Sequence, residues 1–163
     1  MAQADYFLKI EGIEGGAVDD KHKGEIDIQS FSWGLSQTGG FGTGGGGRAG
    51  KVSLQDFHFV AKTGIQSPVL MQATATGQHF KKATLTVRKS GERQFDEYLK
   101  IELEQVLVSS YQIGGTDIGD DALPHDQVSL NFQKIVMQVT PEGVDGAPGP
   151  PVTASYDVKA SVK

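Results

Sequence analysis

Cysteine is absent from this sequence. Disulfides, cysteine-ligated zinc and thiol catalysis are therefore excluded. Long apolar runs are missing too, and nothing approaches the roughly 18 residues that a membrane-spanning helix needs. There is no excess of basic charge: the net charge is −5 and the pI near 5.3, which argues against nucleic acid as a partner. The first residues, MAQADYFLKIEG, lack the apolar core of a secretory signal peptide. The expectation is folding in the cytoplasm, with any export using no cleaved leader. No internal repeat is visible, and the length suits one domain over residues 1–163.

What is present is mostly alternation. Tyr6, Leu8 and Ile10 share one parity, with Lys9 and Glu11 on the other. Ala83, Leu85 and Val87 alternate with Lys82, Thr84, Thr86 and Arg88, and Val152, Ala154, Tyr156, Val158, Ala160 and Val162 alternate to the end. Period two means strands with one buried face. Three segments change phase midway: Ile26 and Ile28 give way to Phe31, Trp33 and Leu35; Leu99, Ile101 and Leu103 to Val106 and Val108; Val128, Leu130 and Phe132 to Ile135, Met137 and Val139. Such slips predict β-bulges or bends that return apolar side chains to the core. Long bent antiparallel strands suit a closed or nearly closed barrel.

One short helix is marked over about 67–77, with Ser67 able to cap it, Pro68 at its first turn and Gly77 able to end it. Val69, Leu70 and Ala73 can share its buried face. Loops are expected at 11–24, 36–50, 112–126 and 141–151. The fold class is mainly β: about eight strands in a compact barrel with one α-helix on its side.

Glycine is plentiful, with 22 residues, and it crowds into SQTGGFGTGGGGRAGK at 36–51. That stretch contains GxGxxG at 42–47 and GxxxxGK at 45–51, two nucleotide-binding strings. Both fail on context. A phosphate loop needs Ser or Thr after its Lys to hold magnesium, and Val52 stands there. Both strings must also open a helix, whereas KVSLQDFHFV reads as a strand. Ordering about a dozen residues costs more than about ten kcal/mol, and glycine is at the expensive end. Burying Phe41, the one large apolar side chain inside, returns roughly 1.5–3 kcal/mol. The loop is therefore either mobile in the isolated subunit or ordered by a partner.

No other chemistry stands out. His22, His58, His79 and His125 lack a metal spacing. His22 and His125 are expected to pair locally with Asp20 and Asp126, and His58 to lie on a strand surface. Glu102 and Glu104 share parity with Lys100 and read as a solvated face, not an acid–base pair. No catalytic residue, metal ligand or cofactor is assigned. Ser30 and Ser32 sit opposite Phe31 and Trp33, either as an ordinary wet sheet face or as a smooth polar wall for holding or passing another molecule. A monomeric barrel binding carbohydrate or peptide is the competing reading. It would need exposed aromatics, for which Trp33 and Tyr111 are the candidates.

In order along the chain, KGEIDIQSFSWGLSQ, GGGGRAGKVSLQDFHF, LTVRKSG, YLKIELEQVLVSSYQIGG and VSLNFQKIVMQV resemble the Hcp family, the haemolysin co-regulated proteins of bacterial type VI secretion. The resemblance implies a compact β-barrel with one helix on its side. It implies homohexameric rings that stack into a tube, handled by a sheath and a spike, exported without a signal peptide and able to hold effector proteins in its lumen. It implies no enzyme activity and no membrane insertion. By matching position it gives the neighbour-reaching loop to Thr38, Gly39, Gly40, Phe41, Gly42, Thr43, Gly44, Gly45, Gly46, Gly47, Arg48, Ala49 and Gly50. It gives the channel-facing strand to Ser30 and Ser32.

Overall fold

A computed structural model describes residues 4–39, 51–89, 96–119, 122–142 and 148–159. The element order is β1 (Ala4–Ile10), β2 (Ile26–Ser32), β3 (Leu35–Gln37), β4 (Val52–Leu54), β5 (Phe57–Lys62), α1 (Ser67–Thr76), β6 (His79–Lys89), β7 (Asp96–Gly114), β8 (His125–Val139) and β9 (Val152–Asp157). Strands run in the order β5-β2-β1-β6-β7-β8-β9, and β5 also pairs with β8. That pairing closes six antiparallel strands into a barrel and leaves β9 as an edge beyond it. β3 and β4 form a separate hairpin below the glycine loop. The core holds Leu8, Ile26, Phe57, Phe59, Leu85, Leu103, Val106, Val128 and Leu130, each no more than 1% exposed.

The three phase slips have two different causes. In β2 the slip is a true bulge: Ile28 pairs with Ala61, but Ser30 pairs with Val60. In β7 and β8 no residue is inserted. Phe80, Val106 and Phe132 form one cross-strand row, and Ala83, Leu103 and Ile135 form the next buried row three positions away. All three strands therefore change phase together, in unbroken register. This is a crease in the sheet, and Gln105 lies on it with φ 55°. A left-handed residue costs a side-chain-bearing L residue about 1–2 kcal/mol, and here the cost turns the whole sheet. A second bulge, between Val108 and Ser110, then rotates Tyr111 towards the core.

Helix α1 ends at Gly77 in the left-handed conformation, φ 69°, as its glycine predicts. Its start differs from expectation. Gln66, not Ser67, occupies the cap position, and no side chain caps the helix. The Ser67 hydroxyl is instead committed to the Asp126 carboxylate, while accepting from the Gly64 amide at 3.0 Å. A cap is worth about 1 kcal/mol, whereas a buried carboxylate stripped of partners costs several, so the carboxylate wins the hydroxyl. The buried face is Ser67, Leu70 and Ala73, and Val69 points outwards.

The connection from β1 to β2 folds back over the other side of β1. Phe7 is buried there, although it alternates out of phase with Leu8 and Ile10. His22 stacks on its ring at 4.5 Å, and Arg88 lies over it at 5.1 Å. Arg88 also grips Asp19 and Asp5 at 2.9 and 3.0 Å. His22 is thus a buried residue, not a surface loop histidine. Its partners are Glu25 at 2.7 Å and Glu97 at 3.2 Å, not Asp20, and the Glu97 contact is an approach of charge without hydrogen-bond alignment.

Candidate functional site

Two adjacent outward rows across β2, β5, β8 and β7 carry no Asp, Glu, Lys or Arg, while Asp27 on β2 and Lys62 on β5 stand on the same face beyond them. Ser32 pairs with His58, His58 with Ser129 and Ser129 with Ser110, giving one row across four strands. The next outward row is Ser30, Val60, Gln127 and Gln112. Neither row contains Asp, Glu, Lys or Arg. Ser30 and Ser32 are exposed on it, opposite the partly buried Phe31 and Trp33. A second carboxylate, Asp56, stands at an edge of the two rows. It is held there by the Ser109 hydroxyl at 2.7 Å and the Asn131 amide at 3.0 Å.

His58 Nδ1 lies 3.2 Å from Ser129 Oγ. The serine–histidine contact lacks what nucleophilic catalysis requires. No third group among the described residues orients the ring, and the pair sits mid-strand on an open face. Glu102 and Glu104 belong to the opposite wall, within 3.4 Å of Lys82 and 4.0 Å of Lys134 respectively. Among the described residues no group of three or more His, Asp or Glu could hold a metal ion. No helix there is long and apolar enough to cross a membrane.

Behind the neutral wall lies a feature missed by the sequence reading. Asp126 is fully buried and accepts from Thr63 and Tyr111, both at 2.9 Å, as well as from Ser67. It was expected in a loop beside His125, yet β8 starts at His125 and alternation sends the two side chains to opposite faces. The signal was available: Asp126 shares parity with Val128, Leu130 and Phe132. Burial, and then the adjacent Asp126 carboxylate, push the Tyr111 phenol above its ordinary range. Tyr111 is therefore a structural donor and not a ligand platform. Trp33, expected in the core, sits at its rim: it packs against Phe132 at 6.2 Å and lines an apolar cleft.

Thr38 and Gly39 follow β3, and the Thr38 hydroxyl donates to the Lys51 carbonyl at 3.3 Å, tying the two ends of the glycine loop together. The rest of the expected arm, 40–50, lies outside the described residues.

A closed antiparallel barrel with one side helix defines the class, and solved structures superpose on it over nearly the whole chain. Hcp1 from Salmonella typhimurium superposes with a TM-score of 0.80 at 31% identity, covering 98% of this chain and 97% of that one. A structure described as a type six secretion system protein superposes with a TM-score of 0.91 at 23% identity, covering 98% and 99%, and shares the fold. The family model described as "Type VI secretion system effector, Hcp" matches residues 7–139. Protein hcp1 of Pseudomonas aeruginosa is 41% identical over 160 residues, 98% of each chain. The chain belongs to the Hcp family, and its role lies in type VI secretion.

Proposed function

We propose that this chain is a structural subunit of the secretion tube, one domain over its whole length, whose work is assembly and shelter rather than bond making. Six copies close into a ring, rings stack, and the neutral wall carrying Ser30 and Ser32 lines the lumen where effector proteins are held. The sheath and spike of the system are its further partners. It is made in the cytoplasm and is then secreted.

The observation that carries this reading is the charge-free double row Ser32-His58-Ser129-Ser110 and Ser30-Val60-Gln127-Gln112 on an otherwise charged barrel. A lumen must pass clients of either sign. Fixed charges would hold opposite charges at about 1 kcal/mol per pair even in water, repeated around a ring. Hydroxyls and amides instead exchange bonds with water at a net of about 0.5–1.5 kcal/mol each. The residues 38–50 act as the arm to the adjacent subunit: glycine lets backbone approach backbone, and Phe41 and Arg48 supply the anchoring side chains.

Negative-stain microscopy of the purified protein is expected to show rings; a clean monomer by light scattering at high concentration overturns the proposal. Deletion of 39–50 is expected to weaken stacking more than folding. Unchanged stacking with an intact barrel returns the loop to a passive role.

A further inference from the structure

The two uncharged rows contain one side chain that can become charged. His58, on β5, stands in the row Ser32-His58-Ser129-Ser110 and is partly exposed. Serine, glutamine and valine side chains stay neutral, whereas an imidazole changes charge between about pH 5 and pH 8. The ring is anchored on one side and open on the other. Nδ1 lies 3.2 Å from Ser129 Oγ, a hydroxyl able to accept from a protonated nitrogen or donate to a bare one. The described residues give Nε2 no hydrogen bond and the ring no ion pair.

Charged groups on the same face are already engaged or stand beyond the rows. Asp56 precedes β5, and both its oxygens are taken, by Ser109 and Asn131. Lys62 lies beyond Val60 on β5, in register with His125 of β8. On β2 the near neighbours are Ser32 and Ser30, and Asp27 lies past the bulge. β8 brings Ser129, Gln127 and Asn131 to this face, and β7 brings Ser110 and Gln112. A proton on His58 therefore adds a positive charge that no neighbour is placed to cancel directly. His22 differs: it is buried between Glu25 and Glu97, under the β1–β2 connection.

We infer that His58 is the specificity-determining residue of this wall. Neutral, it lets clients of either sign pass. Protonated, it retains acidic polypeptide segments, its Nε2 donating a charge-assisted hydrogen bond to a client carboxylate. The inference rests on the lumen reading above and names the client class that the wall favours in acid. Ring symmetry repeats the residue once per subunit at a single height, so the wall gains one cation per subunit. One unlike pair at contact in water changes binding about fivefold.

The test uses the full-length protein with a fluorescent Asp-rich peptide and a Lys-rich peptide of the same length. Both are titrated at about pH 8 and about pH 5, where Asp stays ionised. Mass photometry first checks for rings at each pH. Wild-type rings are expected to bind the Asp-rich peptide at least about fivefold more tightly at the lower pH, and the Lys-rich peptide no better. His58→Gln, polar but unable to take up a proton, is expected to lose most of that gain. His125→Gln, on the same face beyond the rows, is expected to keep it. His58→Lys is expected to bind the Asp-rich peptide tightly at both pH values. Should His58→Gln lose its native circular dichroism, His58→Ser, which matches the rest of the row, replaces it. Equal gains in wild type and His58→Gln overturn the assignment. If His58→Lys rings ignore the Asp-rich peptide at both pH values, clients do not touch this wall, and the lumen reading falls together with the inference. Monomeric wild-type protein at both pH values overturns the ring reading, and this inference with it.

Discussion

The two outer walls of the barrel share strands β7 and β8 and differ in chemistry. On one side of the crease at Gln105, outward positions are Ser110, Gln112, Gln127 and Ser129. On the other they are Lys82, Glu102, Glu104 and Lys134, an ion-paired lattice. The cores beneath differ as well. The charged wall stands on apolar rows such as Ala83, Leu103 and Ile135, whereas the neutral wall stands partly on Asp126 and its three hydroxyl donors. Surface charge and buried charge are thus exchanged between the two regions. The two rows offered as a lumen wall are free of fixed charge, and a carboxylate is locked behind them.

The sharpest way to break this contrast is Asp126→Ala. Three hydroxyls, that of Ser67 buried and those of Thr63 and Tyr111 partly buried, lose their acceptor, and α1 loses its tie to the barrel end. Stability is expected to fall by about 3 kcal/mol or more, read from the urea midpoint. Asp126→Asn, which keeps the shape, is expected to cost less. Equal losses in the two would mean that the carboxylate charge, rather than the loss of an acceptor, carries the node.

Next comes the crease that divides the walls. Gln105→Val places a β-branched residue at φ 55°, which L residues of that shape resist. A loss of about 1–2 kcal/mol is expected. If thermal melting shows no change, the crease is not held by that residue.

The charged side supplies a pH-confined effect. The Arg88 guanidinium beside Asp19 lowers its carboxyl from 3.8 to about 2. A depressed carboxylate adds stability that is present above its ordinary value and lost as pH falls through the folded one. Wild-type stability is expected to decline between about pH 4 and pH 2 on this account, and Asp19→Asn to flatten that part of the profile. An unchanged acid limb would remove the Arg88 clasp as a source of stability. The smallest effect is expected from the surface lattice itself. Lys82 and Glu102 are 3.4 Å apart and partly exposed. Lys82→Ala should cost no more than about 0.5 kcal/mol by urea unfolding.

Much of the barrel was legible in the residues. Alternation located the strands, Pro68 and Gly77 bracketed the helix, and the phase slips foretold bulges or bends. Alternation could not say which slip was a bulge and which a crease, because the difference lies in whether neighbouring strands slip in register. Asp126 escaped because 112–126 read as a loop, while β7 runs on to Gly114 and β8 begins at His125; Tyr111 escaped because the bulge between Val108 and Ser110 that turns it inwards breaks the alternation just before it. Phe7 and His22 escaped because nothing local shows that a loop will fold back over the second face of β1.

The sequence by itself determined the mainly-β class, the single helix, the lack of cysteine chemistry and the failure of the glycine stretch as a phosphate loop. These follow from side-chain period, backbone preference and residue type, which are local properties. Only the tertiary structure decided that Ser30 and Ser32 join His58, Ser110 and Ser129 in one uncharged wall, that a carboxylate is buried behind it, and that the face of β9, patterned for burial, is uncovered in the single chain. Those depend on which strands become neighbours and in what register, and pairing between distant segments is written in no short stretch of the chain.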